Sequence, residues 1–121
     1  MATRNGFTVL HRDELERDGK WSLVRRSLGL RSFGLNLVDI PPGESIPEHN
    51  EQDRDQEEVF VVLSGSPTVV IEDEDHPAPA GTYVRVDPEL MRTVRNDGGE
   101  VASVLIVSAP RTSGYEPMDW A

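Results

Sequence analysis

The sequence predicts an all-β fold, a sandwich or a barrel built from short strands. Runs of β-prone residues recur along the chain, and glycine, proline, serine or acidic residues interrupt them about every ten residues. This spacing is typical of sandwiches and barrels rather than of βαβ units, in which helices separate the strands. Two runs, VFVVL and VLIV, are apolar at every position, as expected of strands packed on both faces, between two sheets or against a second subunit.

The first two predicted strands are the runs WSLVRRSL and FGLNLVDI. Gly29 and Gly34 separate them, and Pro41, Pro42 and Gly43 end the second, because glycine and proline interrupt regular backbone structure. Five further strands are predicted from runs that each end at a turn signal: EEVFVVL, TVVIE, TYVRV, MRTVRN and VASVLIVSA.

The 121 residues suit a single domain with two extensions. The barrel core is predicted over about residues 21–110, with an N-terminal arm at 1–20 and a C-terminal tail at 111–121. The arm is polar, and its one helical stretch, His11–Asp18, has too little apolar surface for a free-standing helix, so an arm or turn lying on the barrel is expected. The tail carries two aromatic rings and a methionine, which are predicted to pin it to the barrel or to a partner chain.

Composition argues against two classes of partner. The formal net charge of -10 repels nucleic acid phosphates and anionic membrane surfaces, which are bound through lysine and arginine. No stretch approaches the roughly 20 apolar residues that span a bilayer, and the N-terminus lacks the apolar block of a signal peptide. Cysteine is absent, so neither disulfides nor thiol chemistry is expected. The sequence predicts a cytoplasmic protein that binds neither nucleic acid nor membrane.

Glycines and charged residues keep a regular spacing in the first half of the predicted core. Five residues separate Gly43 from His49, and Glu51 stands two places after the histidine. Six residues then separate Glu58 from Gly65. A stretch of this kind places one imidazole and two carboxylates close to the start of a strand.

A second spacing follows in the other half. Five residues separate Gly81 from Asp87, and four separate Asp87 from Arg92. Asn96 follows after a further three residues. Arg92 therefore stands a defined number of residues after a glycine and before an asparagine.

Together these spacings resemble the two signatures of the cupin family, G-x5-H-x-H-x(3,4)-E-x6-G and G-x5-P-x-G-x2-H-x3-N, over about residues 33–108. Three departures are visible. The stretch Gln52–Glu57 is a few residues longer than the first signature, Pro88 stands one place late in the second, and Glu89 replaces a glycine. The resemblance implies a cupin-like antiparallel β-barrel, also called a double-stranded β-helix or jelly roll.

The resemblance also implies a metal site, and that site is incomplete here. In cupins two histidines and a glutamate from the first signature and a histidine from the second bind a divalent transition metal, which such ligands suit. His49 and Glu58 are retained, whereas Glu51 and Arg92 occupy the other two positions. A permanently charged guanidinium beside a divalent cation is repulsive. No metal cofactor is therefore favoured; if a divalent transition metal binds, its predicted ligands are His49, Glu51 and Glu58.

Arg92 is given two interpretations. It pairs with Glu58, or with Glu51, and takes over the structural role of the cation. It also suits a carboxylate or phosphate on a small ligand, with His49 and Asn96 beside it. The first interpretation is preferred, and the two are compatible because a guanidinium has five donors.

Alternation along the strands predicts which side chains line the barrel. Phe60 and Val62 face inward if Glu58 does, and Val94 and Asn96 face inward if Arg92 does. Such apolar residues either form a wall of the ligand site or fill the barrel. The predicted ligand-binding residues are His49, Glu58, Phe60, Arg92 and Asn96.

The other two histidines are interpreted as surface residues. His11 lies in the arm, and His76 follows the acidic run Asp73–Asp75, where a hairpin loop is expected. The acidic loop Glu51–Glu57 is expected at the rim of the barrel, as a solvated insertion or as a cover over its mouth.

Three functions remain open on the sequence. The first is a binding protein that holds a small molecule, with an anionic group suited to Arg92, in a barrel without a standard metal site. The second is a metal-dependent enzyme of dioxygenase or isomerase type that uses His49, Glu51 and Glu58. The third is a non-catalytic structural or dimerisation domain. The resemblance implies a homodimer, since many small cupins pair by exchanging strands or packing sheets.

Overall fold

Two antiparallel sheets enclose one apolar core. The structure, a computed structural model, describes residues 2–121, and of residues 2–4 it describes the backbone alone. The larger sheet has six strands in the order β3 (Arg17–Asp18), β4 (Trp21–Ser22), β5 (Gly34–Ile40), β11 (Ala102–Pro110), β6 (Gln56–Ser64) and β9 (Tyr83–Val86). The smaller has the order β10 (Arg92–Arg95), β7 (Thr68–Ile71) and β8 (Glu74–Pro77).

An irregular segment extends the smaller sheet at β10. Ser45 forms an isolated bridge with Arg95, and His49 forms another with Arg92. Pro47 lies between them and has no backbone N–H, so a regular ladder cannot run through this segment. The two bridges fix the segment, and with it the histidine, to the edge of the sheet.

Buried residues from both sheets form a single hydrophobic cluster. On the larger sheet the inward positions alternate with outward ones, as the pleat of a strand requires. The cluster contains the following residues: Val38, Ile40, Ile46, Phe60, Val62, Val69, Ala78, Val86, Val94, Val104 and Ile106. The all-β barrel architecture predicted from the sequence is confirmed, with one short helix added.

That helix corrects the first predicted strand. In WSLVRRSL only Trp21–Ser22 is strand, and α1 (Val24–Leu28) follows. Gly29 ends the helix in the left-handed conformation at φ 72°, and its N–H donates to the carbonyls of Arg25 and Arg26. Glycine at this position is the commonest helix C-terminal signal, and here it outweighs the strand-like composition.

The predicted arm is also more structured than expected. β1 (Ala2–Arg4) and β2 (Phe7–Val9) form a hairpin, and a 3-10 turn follows at Arg12–Glu14. β3 pairs with β4, so the larger sheet begins at Arg17 rather than near residue 21. Short polar strands like this carry no hydrophobic alternation that sequence reading could detect.

His76 lies on a strand and not in the predicted hairpin loop. It stands opposite Val69 on β8, and the turn itself is at Glu72–Asp73, whose φ angles are 49° and 65°. Two consecutive left-handed residues match the twist of a two-residue hairpin, and aspartate tolerates that conformation. As predicted, the side chains of His76 and of His11 are exposed.

The start of the C-terminal tail is attached through ion pairs of Arg111 with Asp55 and Glu89, but its end is exposed. Met118 is 65% exposed and Trp120 is 83% exposed. The alternative that these side chains contact a partner chain stays a prediction. Among the residues that the structure describes, no helix combines the length and the apolar character needed to cross a bilayer.

Candidate functional site

Three separate segments bring four charged or polar side chains together at one end of the barrel. His49 and Arg92 lie directly opposite each other, and each backbone N–H donates to the other's carbonyl, at 3.0 and 2.8 Å. Glu51 is held by a hydrogen bond from its N–H to the carbonyl of Pro88 at 2.9 Å. Glu58 projects inward from β6. Backbone hydrogen bonds thus fix the segments that carry these side chains, independently of the contacts among the side chains.

The guanidinium of Arg92 is completely buried and bound on three sides. Its Nε donates to the carbonyl of Leu90 at 2.9 Å, and its Nη2 donates to the carbonyl of Asp87 at 2.5 Å. Its Nη1 donates to Oε1 of Glu58 at 3.1 Å. The predicted pair between Arg92 and Glu58 is confirmed. Since the side chain has no exposed surface, the geometry does not favour Arg92 as an anchor for a ligand.

His49 contacts both carboxylates. Its Nε2 lies 3.3 Å from Oε1 of Glu51 and 3.6 Å from Oε1 of Glu58, the same oxygen that Arg92 binds. The interaction with Glu58 raises the pKa of His49 above its ordinary value against the opposing effect of burial, and the Pro47 carbonyl and the charge of Glu51 add to it.

The tautomer of His49 follows from its second contact. Nδ1 lies 2.9 Å from the carbonyl of Pro47. A carbonyl oxygen only accepts, so Nδ1 carries the proton and donates it. When the ring is charged, Nε2 therefore carries a proton that it can donate to the two carboxylates. When the ring is neutral, Nε2 carries a lone pair and no proton.

A cavity of about 490 Å³ opens onto these groups. His49, Glu51 and Glu58 lie in its wall, together with apolar and small residues of the larger sheet, such as Ile106 and Ser108. A volume of this size is within the usual range for small-molecule sites, roughly 300–1,000 Å³. The arrangement can present an imidazole and two carboxylates to a bound molecule.

Three of the predicted ligand residues, Phe60, Arg92 and Asn96, do not line this cavity. Phe60 is fully buried in the core, and the predicted inward direction of Phe60 and Val62 is confirmed. Asn96 is also fully buried and faces inward as predicted, but its amide donates to the carbonyls of Ile40 and Glu100 and accepts from the N–H of Gly98. It closes a loop between the sheets, and ligand contact by these residues stays a prediction.

Sequence reading missed the arginines of the cavity. Arg25, Arg31 and Arg54 line it alongside the acidic groups. The first lies on α1, which was predicted as a strand, and the last lies in the 3-10 turn Gln52–Arg54 within the predicted rim loop. An arginine pair in a short run gives no signal of which cavity it will line, so only the tertiary structure could place them.

The donor set fits one divalent cation with three protein ligands. Ligand atoms of His49, Glu51 and Glu58 all lie within 4.8 Å of one another. The Nδ1 contact with Pro47 orients the ring as metal-binding histidines are commonly oriented, with the other nitrogen free. The set does not fit the complete cupin arrangement, because the fourth position is Arg92, whose guanidinium already binds Glu58.

A comparison with protein families decides the family. The Cupin domain family matches residues 36–108, more than half of the chain. The chain belongs to the cupin family. No curated protein sequence matches it.

Several solved cupin structures share the fold. A cupin protein from Bacteroides fragilis has a TM-score of 0.79 at 19% identity and covers 95% of this chain and 92% of its own. A sugar phosphate isomerase from a cupin superfamily, from Silicibacter pomeroyi, has a TM-score of 0.73 at 23% identity, covering 93% and 83%.

A third solved structure is of a protein that is more similar in sequence but longer. It is a protein from Acidithiobacillus ferrooxidans provisionally named a sugar phosphate isomerase, with 28% identity and a TM-score of 0.66. The match covers 73% of this chain and 56% of that protein. This cupin therefore spans little more than half the length of that relative.

Proposed function

We propose that this cupin binds a small molecule in the barrel cavity and contacts it through His49, Glu51 and Glu58. The single observation that supports the proposal is that the cavity ends on these three side chains. Arg92 donates a hydrogen bond to Glu58 and so holds its carboxylate in a fixed position. A buried, oriented polar cluster beneath an open cavity is the usual arrangement of a ligand site.

Arg92 has a structural part in this proposal. Glu58 is nearly buried, and a buried carboxylate without a partner is strongly disfavoured. In cupins with the complete signature a metal ion supplies positive charge at this site. Here the guanidinium of Arg92 supplies it. The site then remains assembled without a standard metal centre.

Binding can be tested with a panel of named probes: glycerol, glyceraldehyde, lactate, malonate and inorganic phosphate. In ¹H–¹⁵N spectra we expect at least one probe to perturb the amides of His49, Glu51 and Glu58 together. His49→Gln and Glu51→Gln should weaken that probe, while Glu48→Gln, an exposed neighbour that does not line the cavity, should not. Perturbations confined to other surfaces, or insensitive to both variants, would contradict the proposal.

A metal-dependent activity of isomerase or dioxygenase type is the second candidate. It is favoured by the mutual distances among His49, Glu51 and Glu58, and an isomerase in particular by the two structural relatives that are named sugar phosphate isomerases. A divalent cation bound there would act as a Lewis acid toward a carbonyl or hydroxyl oxygen. The three side chains would hold it, with Nδ1 of His49 fixed by Pro47.

Elemental analysis separates the two candidates. Protein purified without added metal is expected to contain far less than one equivalent of manganese, iron, nickel or zinc. One equivalent that disappears in His49→Ala would establish the second candidate instead. Arg92→His removes the repulsive charge and adds an imidazole, so it should bind Zn²⁺ or Ni²⁺ more tightly than the parent. Arg95→His, on the same strand, is the matched control.

A further inference from the structure

Most of the positive side chains that the structure of this cupin describes are paired with carboxylates. Among the lysine and arginine side chains that the structure describes, eight lie within 4.0 Å of an aspartate or glutamate oxygen: Arg12, Arg17, Lys20, Arg26, Arg85, Arg92, Arg95 and Arg111. Such pairing is expected in a chain with 22 acidic residues and a net charge of -10.

The exceptions within the described part of the chain share one location. Arg25, Arg31 and Arg54 have no carboxylate within that distance, and all three line the cavity that ends on His49. They come from different segments: α1, the loop before β5, and the 3-10 turn after Glu51. Their convergence on one opening is a property of the tertiary structure, because the sequence separates Arg54 from the other two.

The neighbouring residue on α1 shows that the lack of pairing is specific. Arg26 follows Arg25 directly, yet its Nε lies 3.3 Å from Glu16, away from the cavity. Arg25 instead donates to the backbone carbonyl of Leu30 at 3.3 Å, which uses one of its five donors. The helix therefore directs one guanidinium to an acidic partner and leaves the other at the cavity.

Charge is divided along the cavity. The acidic lining residues are Glu51 and Glu58, and Glu58 is already bound by Arg92. Arg25 and Arg54 are exposed at the rim, as is Arg31. A molecule that bridges rim and base would thus meet guanidinium groups at one end and an imidazole with carboxylates at the other.

We propose that the three rim arginines form a subsite for the phosphate of a small phosphate monoester, whose uncharged end reaches His49 and Glu51. The inference rests on the proposed function, in which the cavity is the ligand site. A phosphate monoester carries close to two negative charges at neutral pH and three terminal oxygens, so it can accept from several guanidinium forks at once. A monocarboxylate offers one charge and two oxygens, and it satisfies three arginines less well.

The test compares glycerol 3-phosphate with glycerol, glycerate and inorganic phosphate at low ionic strength, where screening is weak. Calorimetry on the full chain should give glycerol 3-phosphate as the tightest of the four. The triple variant Arg25→Gln/Arg31→Gln/Arg54→Gln should weaken it about tenfold or more, since each lost charge-assisted hydrogen bond contributes substantially. Arg26→Gln, on the same helix, and Arg85→Gln, on the outer face, should leave binding unchanged.

The outcomes distinguish this inference from the proposed function. If glycerol or glycerate binds at His49 and the triple variant has no effect, the phosphate subsite is wrong and the cavity remains a ligand site. If glycerate binds as tightly as glycerol 3-phosphate, the subsite takes carboxylates and the assignment to phosphate is wrong. If the two control variants weaken binding as much as the triple variant, the effect is one of total charge and the subsite is overturned. If none of the four probes perturbs the cavity amides in ¹H–¹⁵N spectra, both the phosphate subsite and the proposed function are overturned.

Discussion

Among the described residues, Arg92 has the largest fully buried side chain. Its ion pair with Glu58 is the clearest feature of this cupin at the residue scale. A buried pair contributes little net stability, because desolvation offsets the attraction. Removal of one member is different, since the remaining buried charge loses its nearest oppositely charged partner. The pair is thus a constraint on which substitutions the barrel tolerates.

The first prediction concerns that pair. Arg92→Met should destabilise the fold by about 3–5 kcal/mol, because it leaves the buried Glu58 without the guanidinium that compensates its charge. Arg92→Met/Glu58→Leu should recover part of this loss, since neither charge then remains. Urea denaturation of the parent, both single variants and the double variant measures the coupling. A double variant that is less stable than either single variant would contradict the interpretation.

The second prediction concerns pH and Asp39. Burial opposes ionisation of Asp39, but hydrogen bonds from Ser103 and Arg12, with the charges of Arg12 and Arg17, outweigh it and hold its pKa below 3.8. A depressed carboxyl pKa stabilises the folded state above the unfolded pKa, and the contribution is lost as pH falls through the folded one. These contacts also attach the N-terminal arm to the sheet.

The pH dependence of unfolding in urea tests this. Asp39→Asn should be less stable than the parent at neutral pH, and the difference should shrink as the pH falls below 3.8. Asp119→Asn, in the exposed tail, is the control and should follow the parent at every pH. A difference between parent and Asp39→Asn that stays constant down to acid pH would show that charge at this residue is not the cause.

At the scale of elements, the turn after β6 lies in close contact with the backbone at the start of β11. Gly65 lies in the turn after β6 with φ 83°, and a Cβ there would be 2.7 Å from Cα of Ala102 and 2.9 Å from the carbonyl of Val101. Both obstacles are backbone atoms, so they cannot rotate away. The glycine of the first signature is therefore required for space as well as for its dihedral angle.

The third prediction uses a second glycine as a matched control. Gly43 also has φ 83°, but a Cβ there meets nothing within 4 Å. Gly43→Ala should cost about 1–2 kcal/mol for the left-handed backbone alone. Gly65→Ala should cost the same plus the steric overlap, and thermal or urea unfolding of the two variants gives the difference. Equal losses would show that the turn moves freely away from β11.

The elements differ in how far they could be predicted. The strands that line the core, such as β6 and β11, carry apolar residues in runs that a sequence reveals directly. The hairpin β1–β2, strand β3 and helix α1 were missed because they are short. So few residues carry no hydrophobic pattern that sequence reading can detect. The candidate site followed the same rule: Glu58 and Arg92 were paired correctly from motif spacing, while the rim arginines were not found.

At the scale of the whole molecule, the outer face of the larger sheet is apolar although no other element covers all of it. Inward and outward positions alternate on β6 and β11, and both sets are hydrophobic. Most outward residues are partly or fully exposed, among them Leu35, Val59, Val61, Leu63, Tyr83, Leu105 and Val107, whereas Leu37 is buried. An antiparallel sheet that faces water on one side usually carries polar residues there.

The fourth prediction is that a second copy of the chain covers this face. We expect light scattering after size exclusion to give twice the 13.5 kDa chain mass at micromolar concentration. Val107→Asp places a charge in the centre of the face and should yield a monomer, since an unpaired buried charge is costly. Ser66→Asp adds the same charge in an exposed turn as the control. A parent protein that is monomeric would contradict the prediction.

By itself the sequence determined the all-β class, the inward faces of β6 and β10, and, through the resemblance, the replacement of a metal-site histidine by Arg92. Those features depend on local periodicity and fixed spacing, which the chain carries in its order. Only the tertiary structure decided that Arg92 is fully buried and that Arg25, Arg31 and Arg54 line one cavity. Burial and convergence depend on which distant segments meet, and no local pattern records that.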